Sequence, residues 1–414
     1  MTANEAELPE PGKAPEAGKA PGTSRRGLLT GALGGALGLA AGIGGTLAVS
    51  STTTPAAPAP GGGATASGTG EPVPASGLYQ AGIHTPATPQ KFGRLLVLDT
   101  TTAPAAAAEW LEALGERILD LTSSTGKAGS ADAALLPDGA GDLTITVGIG
   151  PRLVSGIDAR LPGSEQLPAF VDDDSIEKLA RGGDVLLAAY SNDPTVLGAV
   201  LADLATLVPS ASRRWEQLVF RGTGEGMKAR NPLGFFDGVV VPHGDDELRE
   251  NVWIGEGPLA AGTICVIRRL RLDTSAFRDL AVGDRETVIG RRMSDGAPLS
   301  GGRPDAQVDL NAKTPEGEFL VPANAHARAA HPSFTGSSLM LRRSYSFEND
   351  RPGEASESGL AFISFQNTLR TFVATQHRLD EVDALRAFTT PTASATFLIL
   401  PGFSRDKPLG AELA

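Results

Sequence analysis

Cysteine is almost absent. Cys265 is the only one in 414 residues, so no disulfide can form within the chain and no two-cysteine metal motif exists. It lies in the apolar run Gly262-Thr-Ile-Cys-Val-Ile267 and reads as a buried core thiol. Histidine is nearly as scarce, at His84, His243, His326, His331 and His377, and no H-E-x-x-H or H-x-x-x-H spacing occurs, which argues against a zinc enzyme. Positive charge is short too: 36 Lys and Arg stand against 48 Asp and Glu, a net charge of -12. The clustered positive charge that nucleic acid demands is missing, and an anionic membrane surface would not attract the chain. Aromatic residues make up 5%, with three Trp (Trp110, Trp215, Trp253) and three Tyr (Tyr79, Tyr190, Tyr345), each read first as a packing residue. There is neither a G-x-S-x-G elbow nor a Walker lysine loop, and the glycines of Arg221-Gly-Thr-Gly-Glu-Gly-Met-Lys228 precede a Pro-containing loop rather than opening a helix.

Long apolar runs are missing but for one near the N-terminus. Ser24-Arg25-Arg26-Gly27-Leu28-Leu29 leads into an uncharged Gly/Ala/Leu stretch that ends at Val49. Paired arginines before a long, mildly apolar run resemble the twin-arginine export signal, with Leu28 where Phe is usual. The competing reading is a membrane anchor, but so many glycines make its transfer into lipid poor. Residues 1–49 are therefore expected to be a twin-arginine signal and the protein exported, to the extracellular space, cell envelope or periplasm, with no stable membrane span once the signal is gone. Residues 50–76 are Ser, Thr, Ala, Pro and Gly with almost no large apolar side chain, the composition of a disordered linker.

Beyond Ser76 the chain repeats one order of elements. Strand 94–99, helix 105–121, strands 143–149 and 184–190, helix 194–207 and strand 215–220 give βαββαβ. In the first helix Trp110, Leu111, Leu114, Ile118, Leu119 and Leu121 recur at the spacing of one buried face. The same order returns over 262–272, 275–292, 338–347, 360–365, 369–385 and 395–400. The expectation is an α+β protein of two ferredoxin-like modules with antiparallel sheets, 77–225 and 226–414. Each would carry helices on one sheet face and leave the other to pack on its partner module or on a flat ligand.

One motif stands out: Asn231-Pro-Leu-Gly-Phe-Phe-Asp-Gly-Val-Val-Val-Pro242. Taken alone, Asp237 between Phe and Gly reads as a turn residue. Four further segments accompany it: Gln80-Ala-Gly-Ile-His-Thr-Pro86, Val288-Ile-Gly-Arg291 with Gly296-Ala-Pro-Leu299, Ala325-His326-Ala327-Arg328, and Leu341-Arg342-Arg343-Ser344-Tyr345. In this order they resemble the signatures of dye-decolourising (DyP-type) haem peroxidases, over about Gly77 to Phe403.

The resemblance implies haem b in the C-terminal module, with His326 as the axial ligand of the iron; one imidazole is all that haem needs from a protein. Asp237 would take a proton from hydrogen peroxide and return it to the leaving oxygen. Arg342 would stabilise the developing charge and keep Asp237 ionised, and a ferryl haem would then draw electrons from an unidentified reductant: dyes, phenols or a metal-linked partner. Adjacent strand residues face opposite ways, so only one of Arg342 and Arg343 can face the haem, and the motif selects Arg342. Gly238, Val239 and Val240 would touch the haem, and His331, Pro332 and Ser333 would lie beside a propionate, although relatives often carry Asn-Pro-Arg there. Axial histidines usually donate their second nitrogen to an acceptor. Relatives tend to place an acid where Ala387 stands, so the acceptor here is left as a backbone carbonyl or another acid.

Two acidic stretches, His243-Gly-Asp-Asp-Glu247 and Asp172-Asp-Asp174, are expected to be solvated turns rather than metal sites. The alternative function is an exported haem- or iron-handling protein of an iron-acquisition system, akin to deferrochelatases, with an envelope metal-handling protein as candidate partner. A third reading has the two modules binding a different flat ligand.

Overall fold

Short apolar and β-branched runs bounded by Gly, Pro and Asp become strands, and the amphipathic runs between them become helices. The structure, a computed structural model, describes residues 70–127, 132–350 and 356–414. The export signal expected over 1–49, and residues 50–69 of the expected linker, lie outside the described residues. The linker also ends sooner than expected: Val73 and Ala75 are buried, alternating with exposed neighbours in a strand-like rhythm too short to stand out among prolines.

The N-terminal half contributes β1 (Phe92–Thr100), α1 (Ala107–Thr122), β2 (Thr144–Ile149), α2 (Pro151–Ile157), β3 (Val185–Ser191), α3 (Leu197–Ala205) and β4 (Ala211–Phe220). A small hairpin of β5 (Ala229–Arg230) and β6 (Phe236–Asp237) follows, then α4 (Gly244–Asn251). The C-terminal half runs β7 (Thr263–Leu272), α5 (Thr274–Asp279), α6 (Val282–Ile289), α7 (His326–Ala329), β8 (Leu341–Arg342), β9 (Tyr345–Asn349), β10 (Glu357–Gln366), α8 (Leu369–Val382) and β11 (Thr389–Ile399). The single strand expected over 338–347 is broken into β8 and β9. Both pair with β10 in one register, Arg342 opposite Ser364 and Tyr345 opposite Ala361, so the alternation of its side chains survives the break.

The strand order is β2-β3-β1-β4 in the first half and β11-β7-β10-β9 in the second, the same arrangement twice. Antiparallel seams β11–β2 and β4–β9 join the two sets, so the sheet closes on itself as an eight-stranded ring. Alternation then divides each strand between an inside and an outside. Inside lie Val97, Leu186, Cys265, Ile267, Ile363, Phe365, Ala395 and Phe397 in one shared core. Of the two partners expected for the helix-free sheet face, the other half of the molecule is the one it meets. Outside, α1, α3 and α8 pack on Leu96, Leu98, Ile145, Val147, Ile264 and Val266. Cys265 is buried in the inner core, and burial pushes its thiol pKa up.

Gln80-Ala-Gly-Ile-His-Thr-Pro86 clamps this ring. The Gln80 amide donates to the Val147 and Leu400 carbonyls (3.0 Å each) and accepts from the Val147 N–H (2.8 Å), spanning the β2–β11 seam. Of the two acidic stretches, the first is solvent-exposed as expected, though it opens a helix, and the second is so only in part. Asp245, Asp246 and Glu247 form the first turn of α4, where acids suit the helix dipole and Glu247 accepts from the His243 N–H (2.7 Å). In the other, Asp173 is 2% exposed and pairs with buried Arg268 at 2.6 Å, a long-range partner that sequence spacing does not announce. Among the described residues no helix is long and apolar enough to cross a membrane, and no group of three or more His, Cys, Asp or Glu could hold a metal ion.

Candidate active site

On the outer face of the C-terminal half, beneath α8, lies a mainly apolar cavity of about 1550 Å3, open solvent at its mouth included. Strand alternation sends Arg268, Leu270 and Leu272 of β7 and Leu360 and Phe362 of β10 into it, while Ile267 and Ile363 turn to the inner core. Phe372 and Leu379 of α8 and the loop residues Leu339 and Met340 complete the apolar walls.

His326 opens the one-turn helix α7 and lines this cavity. Its Nδ1–H donates to Asp383 Oδ2 at 2.7 Å, which leaves Nε2 as the ring nitrogen with a free lone pair. Asp383 is itself fixed: its Oδ1 accepts from the Leu385 N–H (2.9 Å), and its side chain is 5% exposed against 38% for His326. Burial works against a charged imidazole, but the Asp383 carboxylate, by charge and by hydrogen bond, outweighs it and raises the His326 pKa. The acceptor that the sequence left unnamed is thus an acid, four residues before Ala387.

Asp237 and Arg342 line the same cavity. Asp237 sits at the end of β6, followed by Gly238 in the left-handed region (φ +72°), where a Cβ would fall 2.2 Å from the Met227 carbonyl oxygen. That turn aims the Gly238 N–H back at Asp237 Oδ1 (2.6 Å), and Arg342 Nε donates to the same oxygen (3.2 Å). Arg342 Nη1 also donates to the Val240 carbonyl (3.0 Å), so one guanidinium ties the motif loop to β8. Burial pushes the Asp237 pKa up, yet the Arg342 charge and the Gly238 N–H together prevail and hold the carboxyl below its ordinary range. Arg343 points the other way: fully buried, it donates to the Ile83 and Pro86 carbonyls (3.3 Å each) and to Gln90 Oε1 (2.7 Å).

Val239, Val240, His331 and Pro332 line the cavity. Gly238 lines a smaller neighbouring chamber instead, and Ser333 is exposed, its N–H donating to His331 Nδ1 at 3.2 Å. Gly290 and Arg291 act on the frame around it. Gly290 ends α6 at φ +86°, and a Cβ there would meet Ala325 and Ala327 at 3.1 and 3.4 Å, flanking His326. Arg291 lines the cavity and donates to the carbonyls of Gly296, Pro304 and Ala306; burial pushes its pKa down to about 10. Sequence reasoning missed Asp383, Arg268 and the Asp173 that holds Arg268. Asp383 carried one signal, since an Asp opening a short turn commonly caps it.

Comparison with known proteins converges on one family. Residues 80–221 match the family "Dyp-type peroxidase, N-terminal" and residues 228–404 match "Dyp-type peroxidase, C-terminal". The chain is 35% identical over 336 residues to the dye-decolorizing peroxidase of Thermobifida fusca, covering 76% of this chain and 77% of that one. It is 30% identical over 361 residues to a deferrochelatase of Yersinia pestis, covering 80% and 81%. Among solved structures, ferric DtpA from Streptomyces lividans superimposes with a TM-score of 0.76 at 31% identity, over 85% of this chain and 99% of that one. Two matched halves and relatives along most of its length place this chain in the Dyp-type peroxidase family of haem enzymes, as a peroxidase.

Proposed function

We propose that the cavity holds haem b, with His326 Nε2 on the iron, and that Asp237 and Arg342 handle hydrogen peroxide there. The observation that carries this reading is that a histidine with its Nδ1 engaged by Asp383, and a carboxylate–guanidinium pair, line one apolar cavity. The residues fit the group: a flat, largely apolar ring suits walls such as Leu270, Phe362 and Leu379, and a neutral imidazole with a carboxylate behind it is a basic iron ligand. Bound haem would supply the iron and the store of oxidising equivalents passed on to the reductant.

Asp237, ionised at neutral pH, is placed to take a proton from hydrogen peroxide and return it to the oxygen that departs as water, while bound haem would supply the two electrons for O–O cleavage and take up the other oxygen. Arg342 holds that carboxylate in place through Oδ1 and offers a permanent positive charge where negative charge develops. Val239 and Val240 would border the ring, and His331 with Pro332 would flank its propionate edge. The two strand sets are read as ferredoxin-like modules, and residues 1–49 as a twin-arginine signal that exports the folded, haem-loaded protein. The reductant is read as a dye, a phenol or a metal-linked envelope partner. The iron-handling reading is not favoured: identity is higher to the dye-decolorizing peroxidase than to the deferrochelatase, and iron release would make no use of the Asp237–Arg342 pair.

The test is an absorption spectrum of haem-loaded protein before and after one equivalent of hydrogen peroxide, beside His326→Ala and Asp237→Ala. A Soret band lost in His326→Ala, with a peroxide response slowed about 10²–10⁴-fold in Asp237→Ala, is expected. A wild-type band indifferent to peroxide would refute the roles given to both residues.

A further inference from the structure

Five side chains that can carry positive charge line the main cavity: Arg268, Arg291, His326, His331 and Arg342. Three of them face a carboxylate. Arg268 pairs with Asp173 at 2.6 Å, His326 with Asp383 at 2.7 Å and Arg342 with Asp237 at 3.2 Å. His331 needs no such partner, because burial and the nearby Arg328 charge push its pKa down and leave the ring uncharged at neutral pH.

Arg291 is the exception. It follows Gly290 at the end of α6, is 8% exposed, and spends its hydrogen bonds on neutral acceptors: Nη1 donates to the Gly296 and Pro304 carbonyls (2.9 and 3.2 Å) and Nη2 to the Ala306 carbonyl (3.0 Å). Those bonds brace the insertion over 290–306 but bring no negative charge. Burial and the Arg342 guanidinium both act against the Arg291 charge, and no carboxylate among the described residues acts for it.

A buried ion without a counter-ion is costly, and a guanidinium cannot escape the cost by giving up its proton at neutral pH. Asp237, the one carboxylate that lines the cavity among the described residues, is committed to Arg342 and Gly238. The missing negative charge must therefore arrive with the occupant. An occupant that joins a flat apolar body to carboxylates at its edge satisfies both Arg291 and walls such as Leu270, Phe362 and Leu379.

We propose that Arg291 is a cofactor-binding residue whose guanidinium pairs with a propionate carboxylate of the haem. The proposal rests on the reading of the cavity as a haem site. It gives that site a preference by charge: a haem with both propionates esterified fills the same apolar space but leaves Arg291 without a counter-ion.

The experiment loads the full chain with haem or with haem dimethyl ester and follows the loss of each to a scavenging apoprotein, in the wild type and in Arg291→Gln. Glutamine is neutral and keeps an amide donor for the surrounding carbonyls. The wild type is expected to hold haem more tightly than the ester, and Arg291→Gln to lose about 10–100-fold of that preference, the worth of one hydrogen bond to a charged group. An unchanged preference would overturn the proposal even if the variant released both ligands faster, since Arg291 would then only brace the insertion. A wild type that gives no Soret band with either ligand would bring down the haem reading and this proposal together, whereas a normal haem band with an unchanged preference removes the role of Arg291 alone. Should Arg291→Gln fail to fold, a crystal structure of the haem-loaded wild type decides: a propionate oxygen within hydrogen-bond reach of the Arg291 guanidinium is expected, and both propionates lying elsewhere would overturn the pairing.

Discussion

In the N-terminal half, the outer face of the sheet is covered by side chains: Leu96, Leu98, Ile145 and Val147 share one buried cluster with Trp110, Leu111, Leu114, Ile118 and Leu201. In the C-terminal half the same face, in the same strand order, carries Arg268, Leu270, Leu272, Leu360 and Phe362 and borders a large cavity. The difference lies in what separates the strands. Between β1 and β2 the N-terminal half has one α-helix among its described residues, α1, packed on the sheet, whereas between β7 and β8 the C-terminal half inserts α5, α6, the long loop 290–325 and α7. Those insertions supply cavity walls such as Ile289, Arg291 and Val308 and bring His326 to the site. One frame thus serves as solid core or as binding site according to the loops it carries.

The contrast can be broken at graded cost. Asp173→Ala strands the buried Arg268 charge between the halves, and a loss of about 3–5 kcal/mol in chemical denaturation is expected, the largest single stability effect. Leu114→Ala, in the solid half, is expected to cost about 2–5 kcal/mol while leaving the haem spectrum untouched. Leu379→Ala, at the cavity wall, should show the reverse: a smaller loss of stability in haem-free protein and a shifted Soret band. Asp383→Ala removes the acceptor behind His326 and is expected to weaken haem retention about 10–100-fold, read as the rate of haem transfer to a scavenging apoprotein.

The smallest effect expected is one of pH. Asp237 has a depressed pKa, so it stays ionised, and the reaction it serves persists, until pH falls below the ordinary carboxylate value of about 3.9. In Arg342→Leu the main cause of that depression is gone and burial pushes the other way, so the acid limb of the peroxide reaction should move to higher pH, traced by stopped-flow absorbance.

The features legible in the sequence were those with a local period or motif. Strand alternation alone separates Arg342 from Arg343, and the structure has them on opposite faces. The repeated element order survives, with one strand split and the second module's helical stretch divided into α5 and α6. The features that were not legible depend on partners far apart in the chain. Asp383 lies 57 residues from His326, and Asp173 lies 95 from Arg268. Read locally, Asp173 is one acid of three in a row and suggests water; only closure of the ring brings a buried guanidinium to it. Val73 and Ala75 escaped for a related reason, because two small apolar residues among prolines carry little periodic signal.

The walls of the large cavity run from Asn231 to Thr389, and the ring is sealed by Leu398 and Ile399 against β2. A chain made from its N-terminus has therefore completed its whole first half before any wall exists, and the closing seam waits for Leu398 and Ile399. Enclosure of a ligand is then an event of the finished polypeptide, not of its synthesis. A chain cut before Leu398 would have walls for the cavity but no latch for the ring.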